Sequence, residues 1–207
     1  MNMLPIYLVL AAAALMGGSG IPGCLGRRRG SCGQTLATLM MTLGGLSGLA
    51  GLLLSRANPC ALVLPWRLPW GRFFVEIDAL SAFFLVPVLV IPVLGSFYGM
   101  EYWKQSRHPL TGRGLRFFYG ILAGSMAMVV IARDSVLFLI VWEIMAVAAF
   151  FLAATESEKE PVRRAAWVYL VCAHIGTVFL MALFCALYRA TGGQPLATTL
   201  TTPSAIA

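Results

Sequence analysis

The chain has 207 residues, of which 59% are apolar and only 11% are charged, and its formal net charge is +7. Soluble domains carry about 25% charged residues, so this composition excludes a water-soluble globule and indicates an integral membrane protein whose solvent is lipid. The positive charge does not indicate a nucleic-acid partner, because the basic residues lie in short loops between apolar runs and form no binding motif.

Six apolar segments reach the length of about 20 residues that crosses a bilayer. They run approximately over 3–25, 34–55, 79–100, 115–133, 136–154 and 165–188. We therefore predict an all-α membrane bundle over residues 1–189, followed by a polar tail or interrupted linker over 190–207. The first segment precedes the first charge, Arg27, and lacks the positive region of a signal peptide, so we expect a retained helix.

Small residues and prolines mark the second and third segments. The second has a small-residue face formed by Gly44, Gly45, Gly48 and Gly51. Such a face predicts the close approach of a neighbouring helix. In the third segment, Pro87 and Pro92 predict a kink. We interpret residues 56–78 as an outer loop. Its aromatic residues suit the membrane interface; they are Trp66, Trp70, Phe73 and Phe74.

The basic residues also predict orientation. Ten of them lie in or beside the loops 26–33, 101–114 and 155–164, and five lie on the opposite side. This bias places the three named loops in the cytoplasm and both termini outside. A turn at Arg133 and Asp134 joins segments four and five into an antiparallel hairpin, and we interpret the two residues as a solvated turn pair.

Glu143 is the only ionisable group in 136–154. A carboxylate near the centre of a bilayer costs about 2.5 to 3.5 kcal/mol even on the lenient scale, so it indicates function by default. Glu143 lies about 11 Å from the outer end of its segment. His174 lies in the next segment, about 14 Å from its cytoplasmic end, which is a similar depth in a core about 30 Å thick. Because the segments are joined by a short loop, we expect them to be neighbours. The pair is a candidate proton relay.

Alternatives remain for both residues. Glu143 could be a structural carboxyl, and His174 could be a neutral imidazole that is hydrogen-bonded between helices. Tyr169 and Thr177 could extend a polar track, or they could make ordinary interhelical hydrogen bonds. The five cysteines show no metal-ligand spacing, and there is no phosphate loop, nucleophile–base motif or haem ligand pair. We therefore expect no catalytic residue, cofactor, metal or redox chemistry in this chain.

Three stretches resemble one protein family. Residues 75–84, VEIDALSAFF, resemble the start of the third helix in antiporter-like subunits of respiratory complex I and related complexes. Residues 139–145, LIVWEIM, are similar to the family's fifth-helix motif, whose glutamate belongs to the proton-translocating machinery. Residues 164–171 and 173–177 are similar to the large antiporter-like membrane subunit of hydrogenase-4 and formate-hydrogenlyase complexes.

The resemblance covers about residues 70–190 and implies a fold of about 14 helices with two inverted repeats, of which this chain would supply the first six. It implies a multi-pass subunit of the cytoplasmic (inner) membrane that translocates protons or sodium ions, with Glu143 in the proton-translocating machinery. Its partners would be membrane and peripheral subunits of a hydrogenase or NADH–quinone oxidoreductase complex, which would hold the redox cofactors.

The family's later helices carry lysines that partner the glutamate, so we interpret this chain as an amino-terminal fragment of such a subunit. Two rival interpretations stay open. The chain could be a stand-alone transporter of six helices, or a structural membrane anchor in which Glu143 only bonds neighbouring helices.

Overall fold

The computed structural model describes residues 3–25, 32–55, 60–66, 71–105, 107–108 and 111–190. Within these ranges the chain forms seven helices and one two-stranded sheet. The helices are α1 (Leu4–Gly18), α2 (Ile21–Leu25), α3 (Cys32–Ser55), α4 (Ala79–Tyr102), α5 (Thr111–Ile131), α6 (Ser135–Ala153) and α7 (Glu160–Ala190). The strands are β1 (Cys60–Leu64) and β2 (Phe73–Ile77).

In the described part of the chain, six helical segments are long and apolar enough to cross a membrane. The first runs over Leu4–Cys24 and joins α1 to α2, and α3 to α7 provide the other five. The prediction of an all-α, multi-pass membrane protein is confirmed. Helix α7 has 31 residues and is about 46 Å long, so it exceeds a hydrocarbon core of about 30 Å and its ends extend beyond that core.

Helix α1 lies between α3 and α5, and the small-residue face of α3 contacts it. A Cβ on Gly44 would stand 3.1 Å from the Ala12 carbonyl oxygen, and one on Gly51 would stand 2.8 Å from the Pro5 carbonyl oxygen. Gly45 faces α4 at the Val93 side chain, and Gly48 lies between Leu89 of α4 and Ala12 of α1. The predicted close approach is therefore confirmed on two neighbouring helices.

Helix α4 continues through Pro87 and Pro92, and the kink itself stays a prediction. The last turn of α4 is tied to the start of α3 by the buried amide of Gln34. Its Nε2 donates to the carbonyl oxygens of Gly99 (3.2 Å) and Met100 (3.0 Å), and its Oε1 accepts from the Gln105 N–H (3.1 Å). The Gly99 carbonyl oxygen also accepts from the Trp103 N–H, so the Gln34 amide adds a second donor there and supplies one to Met100 in the last turn of α4, where a helix leaves carbonyl groups without an intrahelical partner.

The stretch predicted as an outer loop contains a β-hairpin. β1 and β2 pair antiparallel from Cys60 opposite Ile77 to Leu64 opposite Phe73. Val75, which is fully buried, also bridges to Ala132 at the end of α5. The hairpin therefore covers the turn between α5 and α6, and the two lie at the same end of the bundle. The interfacial belt stays a prediction, and its Trp70 is outside the described residues.

Arg133 joins this hairpin to the helices through a set of contacts that we call the Arg133 cluster, consisting of Arg133, Glu76, Asp78 and Ser81. The guanidinium places Nε 3.4 Å from the Glu76 carboxylate and Nη2 2.9 Å from that of Asp78. Nη2 also donates to the Ser81 hydroxyl at 2.8 Å. The interpretation of Arg133 and Asp134 as a solvated turn pair is therefore wrong, since Asp134 instead caps α6 by accepting from two backbone N–H groups.

Candidate functional site

The candidate site lies where the middle of α6 meets the middle of α7. Glu143 is about 12 Å along α6 from its first residue, and α6 contains no other ionisable side chain. His174 is about 21 Å along α7. Both helices are among the six membrane segments, and α6 is the helix on which α7 mainly packs. The two groups that the sequence predicts at matching depth are thus on adjacent helices.

The two side chains meet through one atom of each. Glu143 Oε2 and His174 Nε2 are 3.7 Å apart. This separation exceeds a hydrogen bond but is short enough for a strong interaction if the imidazole is protonated. The Glu143 side chain is 35% exposed and that of His174 is 52% exposed, so the pair lies at the edge of the α6–α7 contact.

The second oxygen of Glu143 has a different environment. Oε1 is buried and has no hydrogen-bond partner among the described residues. The indole Nε1 of the preceding residue, Trp142, is also buried and without a partner in the described part of the chain. The Trp142 ring stacks on Phe138, one turn earlier, with centroids 5.7 Å apart. A buried oxygen that lacks a donor is costly for a structural carboxylate and is often found at functional sites.

The second nitrogen of His174 is fully engaged. Nδ1 lies 2.9 Å from the carbonyl oxygen of Leu170, one turn earlier on α7. This contact was not predicted from the sequence, although the four-residue spacing is the signal that could have revealed it. His174 therefore makes one contact along its own helix and directs its other nitrogen towards α6.

Thr177 does not extend the polar track that the sequence suggested. It is buried, but its hydroxyl donates to the Ala173 carbonyl of its own helix at 3.2 Å. Tyr169 is exposed. Among the described residues, no group of three or more His, Cys, Asp or Glu side chains is arranged to hold a metal ion. The arrangement of Glu143 and His174 suits proton exchange between two titratable groups.

Helix α7 is the most exposed of the six spans. Away from α6 it presents large apolar side chains, including Val171, Ile175, Val178 and Phe179. In a lipid environment such a surface is covered by acyl chains or by further helices. The fold and this intramembrane pair define a multi-pass helical membrane protein with two ionisable groups at the contact between its last two described helices.

Comparisons with known proteins find weak similarity to three bacterial proteins. No family model matches the chain. It is similar to hydrogenase-4 component B of Escherichia coli (strain K12), with 26% identity over 126 residues that make up 59% of this chain and 18% of that protein. It is also similar to two uncharacterized proteins from Mycobacterium tuberculosis strains CDC 1551 / Oshkosh and ATCC 25618 / H37Rv, each with 26% identity over 154 residues, or 74% of this chain and 24% of the relative.

The chain spans about a fifth to a quarter of the length of these relatives. The similarity supports the resemblance to antiporter-like subunits loosely and does not single out one subunit. Together with the six membrane helices, it indicates a multi-pass membrane protein.

Proposed function

We propose that this chain belongs to a proton-translocating, antiporter-like membrane subunit of a hydrogenase-4, formate-hydrogenlyase or NADH–quinone oxidoreductase type complex. Glu143 is the group that carries the proton within the membrane. The observation that supports this proposal most directly is the contact of Glu143 with His174 at 3.7 Å, in the middle of two adjacent membrane helices.

A purely structural carboxylate would be expected to have both oxygens hydrogen-bonded, because burial without partners is costly. Glu143 has one oxygen facing a titratable imidazole and one buried oxygen that no described group satisfies. A carboxyl group in this position can accept a proton on one side and release it on the other. The geometry therefore favours proton transfer over the role of a structural anchor.

The remaining parts of the proposal come from the similarity and from the charge distribution. Electron transfer would take place in other subunits, which would hold the redox cofactors, and this chain would supply the ion path. The excess of basic residues in three loops supports an orientation in the cytoplasmic (inner) membrane with those loops inside.

The experiment that tests the proposal compares two carboxyl-to-amide variants in membranes that contain the assembled complex. Glu143→Gln preserves the shape of the side chain but removes the titrating group. Glu158→Gln makes the same change in the exposed loop between α6 and α7 and serves as the matched control. Proton uptake into inverted vesicles is measured with a fluorescent pH probe while the complex oxidises its own electron donor, and assembly is checked on native gels.

We expect Glu143→Gln to lose proton uptake by about 100-fold or more, as for a residue that itself transfers the proton, while the complex stays assembled. Glu158→Gln should behave as the wild type. Wild-type uptake by Glu143→Gln would show that Glu143 carries no proton. Ion flux in vesicles that contain the purified chain alone would instead favour a stand-alone transporter.

A further inference from the structure

We infer that His174 stores a proton for Glu143: the imidazole accepts the proton through Nε2 and returns it through the same nitrogen. The proton path itself continues through the carboxyl group of Glu143. This inference rests on the proposed function of Glu143. It assigns different roles to two residues that the sequence suggested as members of one proton relay.

The nitrogen of His174 that points along α7 has a defined protonation. A backbone carbonyl oxygen can only accept a hydrogen bond, so the atom 2.9 Å from the Leu170 carbonyl oxygen must carry a hydrogen. His174 Nδ1 is therefore the N–H of the neutral imidazole. In that tautomer Nε2 has a lone pair, and this is the nitrogen that faces Glu143 Oε2.

A proton can be exchanged between the two residues through these facing atoms. When Glu143 is protonated on Oε2, the imidazole is neutral and its Nε2 can accept the proton. The Oε2–H bond then breaks and its electron pair stays on oxygen, while an Nε2–H bond forms from the nitrogen lone pair. The products are a carboxylate and an imidazolium. The heavy atoms must approach from 3.7 Å to about 2.6–3.2 Å for this transfer.

The Leu170 contact prevents His174 from acting as a through-relay. An imidazole that conducts a proton accepts it on one nitrogen and releases it from the other. Here the other nitrogen donates to the Leu170 carbonyl, which is too weak a base to take the proton over. A proton that enters through Nε2 therefore leaves through Nε2, and His174 holds the proton without passing it along α7.

The carboxyl group of Glu143 has two oxygens that can each exchange a proton, whereas His174 has only one nitrogen that can. Oε2 faces the imidazole, and Oε1 is buried on the other side without a partner among the described residues. Helix α6 contains no second ionisable group. Apart from His174, the titratable or charged groups on the two helices packed against α6 are Arg113, Arg116 and Tyr119 on α5 and Glu160, Arg163, Arg164, Tyr169, Cys172, Cys185, Tyr188 and Arg189 on α7.

Nitrogen-15 NMR of the histidine-labelled full chain in lipid vesicles tests the tautomer directly. The chain has only two histidines, His108 and His174, so the variants His108→Gln and His174→Gln assign both signals. We expect neutral His174 to carry its hydrogen on Nδ1, and we expect Glu143→Gln to leave that preference unchanged because Leu170 sets it. A neutral imidazole protonated on Nε2 would overturn the inference.

Proton uptake by the assembled complex distinguishes a store from an obligatory relay. Loss of an obligatory relay residue should reduce uptake by about 100-fold or more, whereas we expect His174→Gln to reduce it by less than about tenfold. His108→Gln, outside the membrane site, is the control. If His174→Gln abolishes uptake as Glu143→Gln does, His174 is a relay and the inference is wrong while the proposed function stands. If Glu143→Gln pumps normally, the proposed function fails whatever tautomer His174 has.

Discussion

The crossing of α1 and α5 depends on Gly17 of α1 and Gly124 of α5, which lie against each other. Gly124 has the least space for a side chain. A Cβ on Gly124 would stand 2.6 Å from the Ala13 carbonyl oxygen, 2.8 Å from the Gly17 Cα and 2.9 Å from the Gly17 nitrogen. All three atoms are backbone atoms, so no side-chain rotation can relieve the contact. Gly124→Ala must push α1 and α5 apart.

The same helix provides a matched control, because a Cβ on Gly114 would have no neighbour within 4 Å. Both substitutions raise helix propensity, because alanine is about 1 kcal/mol more favourable than glycine inside a helix. Only Gly124→Ala adds overpacking, which costs about 1–3 kcal/mol. Since the propensity gain is common to both, Gly124→Ala should be less stable than Gly114→Ala by about 1–3 kcal/mol.

The assay is unfolding of the purified chain in mixed micelles with increasing fraction of a denaturing detergent, followed by tryptophan fluorescence and helical circular dichroism. We expect the Gly114→Ala transition at or above that of the wild type and the Gly124→Ala transition below it. Equal transitions for the two variants would show that α1 and α5 do not approach as closely as the structure places them.

Two further predictions concern the Arg133 cluster. Arg133→Ala should destabilise the chain by about 2–3 kcal/mol, because it removes charged hydrogen bonds and leaves two partly buried carboxylates unpaired. The control is Arg164→Ala, which removes an exposed ion pair and should cost less than about 0.5 kcal/mol in the same assay. Burial raises the pKa of Asp78, but hydrogen bonds from Ser81 and the Arg133 charge outweigh it and lower the pKa below its usual value. A lowered carboxyl pKa stabilises the fold above the unfolded value of about 3.9. This stability should be lost as the pH falls below about 4, and a chain with Asp78→Asn should lose less over that range.

The number of membrane helices could be predicted because each span is an uninterrupted apolar run of sufficient length. The helix ends could not, because charged residues continue α5 and α7 past the apolar runs. α5 begins at Thr111 rather than near 115, and α7 begins at Glu160 rather than near 165. An acidic residue in the first turn of α7 suits the positive end of the helix dipole and allows the helix to begin in the polar region.

The hairpin was missed for a different reason. Its strands have five residues each and are separated by a stretch that includes Pro65, Pro69 and Gly71, so turn signals dominate the local sequence. Alternating burial is visible in β2, where Val75 and Ile77 face the core. That alternation is too short to separate a strand from an apolar loop in the sequence alone.

For the candidate site, helix geometry predicted the depth of both groups but not which of their atoms meet. A rise of about 1.5 Å per residue is sufficient to place Glu143 and His174 near the same level. It does not give the rotation of α7 about its axis, which decides that Nε2 faces α6 and Nδ1 faces the Leu170 carbonyl. The roles proposed for the two residues depend on that rotation.

The position of Glu143 depends in turn on the hairpin end of the bundle. Asp78 caps α4 and, with Ser81, holds Arg133 at the end of α5. The next residue, Asp134, caps α6 and fixes where that helix begins, and Glu143 follows two and a half turns later. The two stretches 75–84 and 139–145, which resemble the same family, are therefore linked through Arg133 and Asp134. The first binds Arg133, the neighbour of the residue that caps the helix on which the second presents its carboxylate.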